Sequence, residues 1–356
     1  MLPGMTTRPR SRLALLALGT VTTTTALAAA ACGKAAGSAG PTTTIRYQGA
    51  AGQVTPPELA QDLGYLGKVK LKWVGNTISG PQDIQSAATG QTDVGGAFNG
   101  AVVKLRAAGA PITAVIGYYG VDKDSYSGFY VPQDSPIKGP RDLLGKKIGM
   151  NTLGAHHEAV LDIYLQRNGL SAADIKKAEP LVVPPVNTEQ TVRQKQIDVG
   201  VLGGIFRDKA LATGGLRRLF SDYDVLGSTT AGTYVFRQDF IKRNPETVRA
   251  FTSGVAKAIE WARTTPRDQV IARFTKIVRA RGRNENAAAL QFFKSWGVAG
   301  KGGVITDKEF TTWIDWLEGQ GQIPKGKVKP ADIYTNKFNS YATAGSSAGS
   351  SAGSGA

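Results

Sequence analysis

The chain has 356 residues, of which 41% are apolar and 20% are charged, a composition that is typical of globular proteins and excludes a disordered or collagen-like chain. Its formal net charge is +16, and its single cysteine excludes a disulfide bond within the chain.

The first 32 residues combine a basic segment, an apolar segment and a cysteine. Three arginines lie in residues 8–12, the apolar stretch opens with residues 13–18, and the small residues 28–31 run into Cys32. This order is typical of a bacterial lipoprotein signal peptide. It predicts a leader over residues 1–31 and a lipid on Cys32 that anchors the chain to the cell membrane, outside the cytoplasm.

Two other interpretations of the leader remain. A transmembrane helix is disfavoured because it needs about 20 strongly apolar residues, and Gly19, Thr20 and the threonines of residues 22–25 interrupt this stretch. Cleavage at another position by ordinary signal peptidase is the second alternative, because Ala29 stands three residues before Cys32, where leucine is most common.

The basic charge also limits the partners of the chain. Setting aside the three leader arginines leaves a formal charge of +13. No basic run alternates with aromatic residues as single-strand binding requires, and an exported protein rarely meets nucleic acid. The charge therefore favours anionic lipid or wall polymer and predicts no nucleic-acid partner.

Two low-complexity segments flank the part of the chain that is predicted to fold. Residues 32–43 are mostly small and polar, as in a flexible tether. Residues 343–356 contain only Ala, Gly, Ser and Thr, which predicts a disordered tail. The roughly 300 residues between them exceed what one hydrophobic core usually organises, so we expect two lobes.

Apolar runs alternate with helical patterns along this central part. A first series predicts strands over residues 45–47, 69–74, 94–98 and 113–119, with helices over 56–63, 81–88 and 101–107. A second series predicts strands over 147–150, 180–183 and 199–202, with helices over 155–166 and 188–194. The alternation indicates an α/β fold, with a mostly parallel sheet in the first series.

Two similar extended segments, residues 128–132 and 232–236, bracket the second series. They predict that the chain crosses into a second lobe and back by adjacent strands, which would form a hinge. Lobe 1 would then comprise residues 44–126 plus 233–342, and lobe 2 residues 127–232. Helices that start at Pro245 are expected to pack on lobe 1.

Polar or small residues follow the predicted strands of both series. The carboxyl ends of strands in an open α/β sheet face a common crevice, where helix N-termini present free N–H groups. We expect these side chains to meet in a cleft that suits an anion. A purely structural capping role is the alternative for each of them. They are Gln48, Ser79, Asn99, Asn151 and Thr152.

Ring side chains are further candidates for the cleft. His156 lies near the start of its predicted helix, where the helix dipole disfavours imidazolium, so we expect a neutral ring that donates an N–H toward the cleft. A buried structural histidine is the alternative. The aromatic residues that either line the cleft or belong to the core are Tyr47, Phe98, Tyr118, Tyr119 and Tyr234.

The sequence lacks the spacing of common catalytic sites. His156 and His157 point about 100° apart on a helix, so they do not form an HExxH metal site. A GxSxG nucleophile elbow is missing, and residues 295–302 depart twice from the phosphate-loop pattern. We therefore predict a protein that is not an enzyme and has no cofactor and no metal.

Five segments, taken in their order along the chain, carry a family resemblance. They are ELAQDLGYLGKVKLKWV, IQSAATGQTDVGGAFNGAVVKLRAAGAPITAV, DSPIKGPRDLLGKKIGMNTLGAHHEAVLDIYLQRNGL, NPETVRAF and ADIYTNKF. Together they resemble the extracytoplasmic substrate-binding proteins of importers for aliphatic sulfonates, nitrate, taurine and thiamine precursors. The resemblance covers roughly residues 43–342.

The resemblance implies a two-lobed type 2 periplasmic-binding-protein fold with two hinge crossover strands. It also implies ligand contacts after the first and third strands, at the start of the second helix, at the crossover and in the turn of the second lobe. With Tyr234 added from the aromatic set, the predicted ligand-binding residues are Gln48, Ser79, Gly80, Phe98, Asn99, Ser127, Gly128, Thr152, Gly154, His156 and Tyr234.

The function that follows is the lipid-anchored, monomeric solute-binding component of an ABC importer, with a permease and cytoplasmic ATPase subunits as partners. Its ligand would be a small organic anion such as an alkyl sulfonate, nitrate or taurine. The alternative ligand is an uncharged aromatic or pyrimidine, favoured by the tyrosines and the lack of a clear cleft arginine. An enzyme like the fungal thiamine-pyrimidine synthases is disfavoured, because those carry a cysteine-rich motif and Cys32 is the only cysteine here. Gln196 and Leu153 depart from the family pattern, which leaves the ligand open.

Overall fold

The structure is a computed structural model that describes residues 41–344. The predicted signal peptide over residues 1–31, the predicted lipid site at Cys32, and most of the predicted tether and tail lie outside the described residues. Among the described helices, none combines the length and the apolar character that crossing a membrane requires.

Ten strands are found in the described chain. Their bounds are β1 Thr44–Gly49, β2 Lys70–Asn76, β3 Val94–Phe98, β4 Ile112–Val121, β5 Ser127–Pro132, β6 Lys147–Met150, β7 Glu179–Val182, β8 Val199–Gly203, β9 Leu216–Ser221 and β10 Thr229–Arg237.

Fourteen α-helices accompany them, together with three short 3₁₀ helices at Pro140–Leu143, Ala288–Phe292 and Lys301–Gly303. Their bounds are α1 Pro56–Asp62, α2 Gly80–Thr89, α3 Asn99–Ala107, α4 His156–Arg167, α5 Ala172–Ile175, α6 Pro185–Arg193, α7 Gly204–Thr213, α8 Asp222–Leu226, α9 Gln238–Arg243, α10 Pro245–Thr264, α11 Arg267–Ala280, α12 Lys308–Gly319, α13 Pro330–Ile333 and α14 Ser340–Ala344.

Each strand and helix predicted from the alternating pattern coincides with an observed element, which confirms the α/β assignment. Strand β9 and helices α7 and α8 were not predicted. Helix α10 begins at Pro245 as expected, and its apolar stripe of Val248, Phe251, Val255 and Ile259 is buried in the core. Burial of these four side chains stabilises the fold by about 1.5–3 kcal/mol each, which is more than the cost of their lower helix propensity relative to alanine.

The prediction of a mostly parallel sheet in the first series is wrong. Strands β1 and β2 form a parallel pair of their own, and β3 and β4 do not pair with each other. Strand β10 lies between β3 and β4 and is antiparallel to both. Since β10 is more than 100 residues away in sequence, local alternation carries no signal of its insertion.

The second sheet has five strands in the order β7, β6, β8, β5, β9. Strand β6 is parallel to β7 and β8, whereas β5 is antiparallel to β8 and β9. The three-stranded and the five-stranded sheet therefore each contain one strand, β10 or β5, that is antiparallel to both of its neighbours.

The predicted pairing of residues 128–132 with residues 232–236 is also wrong. Both segments are strands, but β5 belongs to the five-stranded sheet and β10 to the three-stranded sheet. The two crossings are adjacent at another place, where Val121 at the end of β4 is opposite Thr229 at the start of β10. Both segments are interior strands of their own sheets, so their similar sequences reflect similar buried positions and not a shared ladder.

Candidate functional site

Elements of the two series meet around one cavity of about 360 Å³. From the first series, Gln48 near the end of β1 and Phe98 at the end of β3 line it, and helix α2 begins there at Gly80. From the second series, Thr152 follows β6, and helix α4 begins at His156. The predicted convergence of strand ends and helix starts is therefore present.

A second cavity of about 340 Å³ adjoins the first. The two share lining residues, among them Tyr119, Ser127 and His157, so they form two parts of one cleft. The second part is more aromatic, with Phe293 and Trp296 in its wall.

Eight of the eleven predicted ligand-binding residues line the first cavity. They come from six segments separated by 18 to 78 residues in sequence, so the fold brings them together. They are Gln48, Ser79, Gly80, Phe98, Ser127, Thr152, His156 and Tyr234.

The other three line neither cavity in the described structure. Asn99 is fully buried, and its Nδ2 donates to the carbonyl oxygens of Thr230 and Glu309 at 3.1 and 3.4 Å. Gly128 lies inside β5, where a Cβ atom would come within 2.6 Å of a ring atom of Tyr130. Gly154 is exposed in the turn before α4, with a φ of +68° that favours glycine.

His156 is bound through Nε2 to the Oδ2 atom of Asp222 at 2.9 Å, and both side chains are buried. The other carboxylate oxygen, Oδ1, accepts the backbone N–H of Ser127 at 2.9 Å. The N–H that we expected to point into the cleft is therefore donated to Asp222. Nδ1 of His156 has no hydrogen-bond partner among the described residues.

His157 lines both parts of the cleft and was not among the predicted ligand-binding residues. Its Nε2 lies 3.0 Å from Oγ of Ser127. Burial, followed by the proximity of His156, lowers the pKa of His157 to about 3, so its ring is neutral near pH 7. Its position next to His156 was the only sequence signal for it.

The starts of α2 and α4 contact each other directly across the cleft. The Thr152 hydroxyl donates to Oγ of Ser79 at 3.0 Å, and Nδ2 of Asn151 donates to the carbonyl oxygen of Ile78 at 2.8 Å. Ser79 also caps α2, because its Oγ accepts the N–H of Gln82. These two bonds hold the two walls of the cavity together.

Asp83, in the first turn of α2, also lines the cavity. Its Oδ2 accepts the N–H of Gly96 at 2.7 Å, whereas Oδ1 has no hydrogen-bond partner in the described part of the chain. Burial raises the pKa of Asp83 to about 7, and the bond from Gly96 opposes this rise. The pattern analysis missed Asp83 because an acidic residue in a first helical turn is common.

Three of the five aromatic residues that were predicted for the cleft or the core pack against one another. The rings of Tyr118 and Tyr234 are stacked with centroids 4.0 Å apart, and Tyr119 packs edge-on against Tyr118 at 4.9 Å. All three line the cavity, as does Phe98. Desolvation raises the pKa of Tyr118 and Tyr234 well above the usual value, so both hydroxyls stay protonated.

Tyr47 is the exception, because it does not line the cavity. Its hydroxyl donates to Oε1 of Glu58 at 2.8 Å, and Arg281 and Arg283 bind the same oxygen at 3.0 and 3.2 Å. Glu58 also accepts the N–H of Thr55 through Oε2. This buried network supports the connection between β1 and α1, which forms one wall of the cleft.

The charges around the first cavity are unusual for an anion site. Its titratable lining residues are Asp83, His156, His157, Asp222 and three tyrosines, with neither lysine nor arginine in the described lining. Lys294 lies in the second part of the cleft, where its Nζ is 3.2 Å from Oδ2 of Asp208.

Comparisons with known proteins agree with this architecture. The family model described as "NMT1/THI5 like" matches residues 52–269. No curated protein matches the sequence significantly.

Solved structures that resemble the chain share its fold at low sequence identity. The alkanesulfonate-binding protein SsuA from Xanthomonas axonopodis pv. citri, bound to MOPS, is 21% identical, with a TM-score of 0.63 over 83% of this chain and 99% of that one. The aliphatic sulphonate-binding protein SsuA from Escherichia coli is 20% identical, with a TM-score of 0.61 over 83% and 92%. The nitrate-binding protein NrtA from Synechocystis PCC 6803 is 12% identical, with a TM-score of 0.66 over 87% and 90%. The fold is thus the α/β fold of periplasmic binding proteins.

Proposed function

The chain belongs to the NMT1/THI5-like family, and we propose that it is the solute-binding component of an ABC importer. It captures a small solute outside the cytoplasm and delivers it to a membrane permease. The observation that carries this proposal is the cavity of about 360 Å³, lined by strand ends and helix starts from both series of elements. A cleft of this size, mostly apolar with a few convergent polar groups, is typical of small-molecule sites.

The working motion in this proposal is closure of two lobes, residues 44–126 plus 233–342 and residues 127–232. The adjacent crossings at Val121 and Thr229 support a hinge at that level. A solute favours closure only by as much as it binds the closed state better than the open one. Groups from both lobes must therefore contact it, as the lining of the cavity allows.

The first candidate for the solute is a small organic anion such as an alkyl sulfonate, nitrate or taurine. The start of α4 supports it, because no side chain caps this helix of 12 residues and its first residues line the cavity. Free N–H groups and the positive end of the helix dipole favour an anion there. The structural neighbours named for sulfonate and nitrate binding agree with this candidate.

The second candidate is an uncharged heteroaromatic solute, such as a pyrimidine. The stacked pair Tyr118 and Tyr234 supports it, because flat rings pack well against tyrosine faces. The lack of lysine and arginine in the described lining of the first cavity supports it as well.

The location in this proposal is the outer face of the cell membrane, with a lipid on Cys32 as the anchor. The sequence pattern of residues 1–32 is the support for it. Cys32→Ser should release the protein from membranes of expressing cells into the soluble fraction. A variant that stays membrane-bound would contradict the lipid anchor.

Catalysis is not part of the proposal. Ser127 and His157 are within hydrogen-bond distance, but a histidine with a pKa near 3 is a weak general base. The carboxylate of Asp222 binds His156 and not His157, so the three groups do not form a catalytic triad.

A thermal-shift screen of the full chain against sulfonates, nitrate, taurine and pyrimidines tests the proposal. A solute at about 100 times its dissociation constant should stabilise the fold by about 2.7 kcal/mol. Thr152→Val, which alters the cavity wall, should reduce the shift, whereas Thr311→Val on the exposed face of α12 should not. A screen in which no solute raises the melting temperature would contradict solute binding.

A further inference from the structure

Several side chains that line the first cavity have a buried atom without a hydrogen-bond partner among the described residues. An unpaired buried polar atom destabilises the fold unless a ligand or water pairs with it. Such atoms therefore indicate which groups a solute must bring. They are Gln48 Oε1, Asp83 Oδ1, His156 Nδ1 and His157 Nδ1.

The two oxygen atoms among them, on Gln48 and Asp83, are acceptors when Asp83 is ionised. Gln48 offers its amide oxygen, and the Asp83 carboxylate offers Oδ1. A solute that presents only oxygen acceptors leaves both oxygens unpaired while Asp83 is ionised.

Asp83 has the most defined surroundings of the four. It is 7% exposed, and its Oδ2 is held by the N–H of Gly96. A Cβ atom on Gly96 would lie 2.9 Å from the Tyr118 hydroxyl and 2.8 Å from Cε1 of Tyr234. The missing side chain at Gly96 thus lets both tyrosines pack beside the Asp83 carboxyl, so that the carboxyl and the stacked rings share one wall.

We propose that Asp83 determines the specificity of the cleft by accepting an N–H from an amino group of the solute. This proposal rests on the proposed solute-binding function and names a feature of its ligand. An amino group carries two or more hydrogens, so it can donate to Oδ1 of Asp83 and to a second acceptor of the same wall. A hydroxyl can donate only once, and a sulfonate or nitrate oxygen not at all.

Two kinds of solute share this chemistry, an aliphatic amine and an amino-substituted heteroaromatic ring. Matched probes separate them. Taurine and isethionate differ by an amino group in place of a hydroxyl, and an aminopyrimidine and the corresponding methylpyrimidine differ by an amino group in place of a methyl. Calorimetry of the full chain, purified in detergent, measures the affinity ratio within each pair.

At pH 8, above the pKa of about 7 of Asp83, we expect the amino member of at least one pair to bind about tenfold more tightly or better, since hydrogen bonds to charged groups are among the strongest. Asp83→Asn puts a donor where Oδ1 stands and should bring the ratio close to one. Asp162→Asn is the matched control, because burial also raises the pKa of Asp162, to about 6, but it does not line the cleft. It should leave the ratio unchanged.

Ratios near one in both pairs, or a preference that Asp83→Asn leaves intact, would overturn the role of Asp83. If Asp83→Asn does not fold, the ratios of the unaltered protein decide alone. If the hydroxyl and methyl members bind as tightly as the amino members, the protein still binds a solute, and only the proposed preference for an amino group is contradicted. Failure of every solute to bind would instead contradict the proposed function itself.

Discussion

His156 and His157 are neighbours in sequence, yet their rings have different partners. His156 binds the carboxylate of Asp222, and His157 binds the hydroxyl of Ser127. Adjacent positions on a helix point about 100° apart, which is why the sequence excludes a shared metal between them. The same geometry lets one turn of α4 contribute two distinct rings to the cleft.

The buried ring of His157 makes stability depend on pH. Its pKa is lowered from 6.5 to about 3, so the unfolded chain binds a proton at pH values where the folded one does not. The stabilisation is complete above pH 6.5 and is lost as the pH falls toward 3, by about 1.4 kcal/mol for each unit of difference. His157→Gln should therefore lose less stability than the unaltered chain between pH 7 and pH 5 in urea unfolding. Equal losses in both proteins would contradict this prediction.

At the scale of elements, helix α7 holds the connection between β4 and β5. Its Arg207 is 1% exposed, and its guanidinium donates to the carbonyl oxygens of Tyr126 and Asp124 at 2.9 and 2.8 Å. The same group lies 3.8 Å from the centroid of the Tyr126 ring and binds Asp208. One side chain thus fixes a wall of the second part of the cleft.

Arg207→Ala should lower the free energy of unfolding by about 3–5 kcal/mol, because it removes a buried ion-pair partner of Asp208 and leaves the carbonyl groups of Tyr126 and Asp124 without their donor. Arg207→Lys should recover only part of this loss, since an ammonium group cannot reproduce the planar fork. Arg218 lies 5.1 Å from the same ring but is partly exposed, so Arg218→Ala should cost less than about 1 kcal/mol. Urea unfolding of the three variants measures the order, and similar costs for Arg207→Ala and Arg218→Ala would refute it.

The order of strands shows how far local patterns reach. The strands predicted over residues 94–98 and 147–150 coincide with β3 and β6, because a short apolar run between two helices is most often a buried strand. The position of β10 between β3 and β4 could not be predicted from the local pattern, because its partner strands lie more than 100 residues earlier in the sequence. Strand β9 escaped prediction because its apolar residues are interrupted by Arg217 and Arg218.

At the scale of the whole molecule, the described structure has its two cleft walls in direct contact. The bonds from Thr152 to Ser79 and from Asn151 to Ile78 join the starts of α4 and α2. Each such bond contributes about 1 kcal/mol. In the proposed closure of two lobes, the contact would stabilise the closed arrangement before any solute adds its own contribution.

Removing both bonds should shift the solute-free protein toward an open form. The double variant Asn151→Ala and Thr152→Val is expected to have a larger radius of gyration in small-angle scattering than the unaltered chain. Thr312→Val, on an exposed face of α12, is the control and should leave the radius unchanged. An unchanged radius in the double variant would mean that the contact does not govern closure.

The sequence by itself determined most elements, because apolar periodicity and helix caps are local properties. Its resemblance to a known family, and not these local patterns alone, led to the eight predicted residues that line the cavity. Only the tertiary structure decided that Asn99 is a buried structural amide, that Asp222 is the hydrogen-bond partner of His156, and that Asp83 lies beside Tyr118 and Tyr234. These facts depend on which distant strands pair and on what each buried atom finds as a partner. Pairing and burial are set by the packing of the whole chain, so no local pattern contains them.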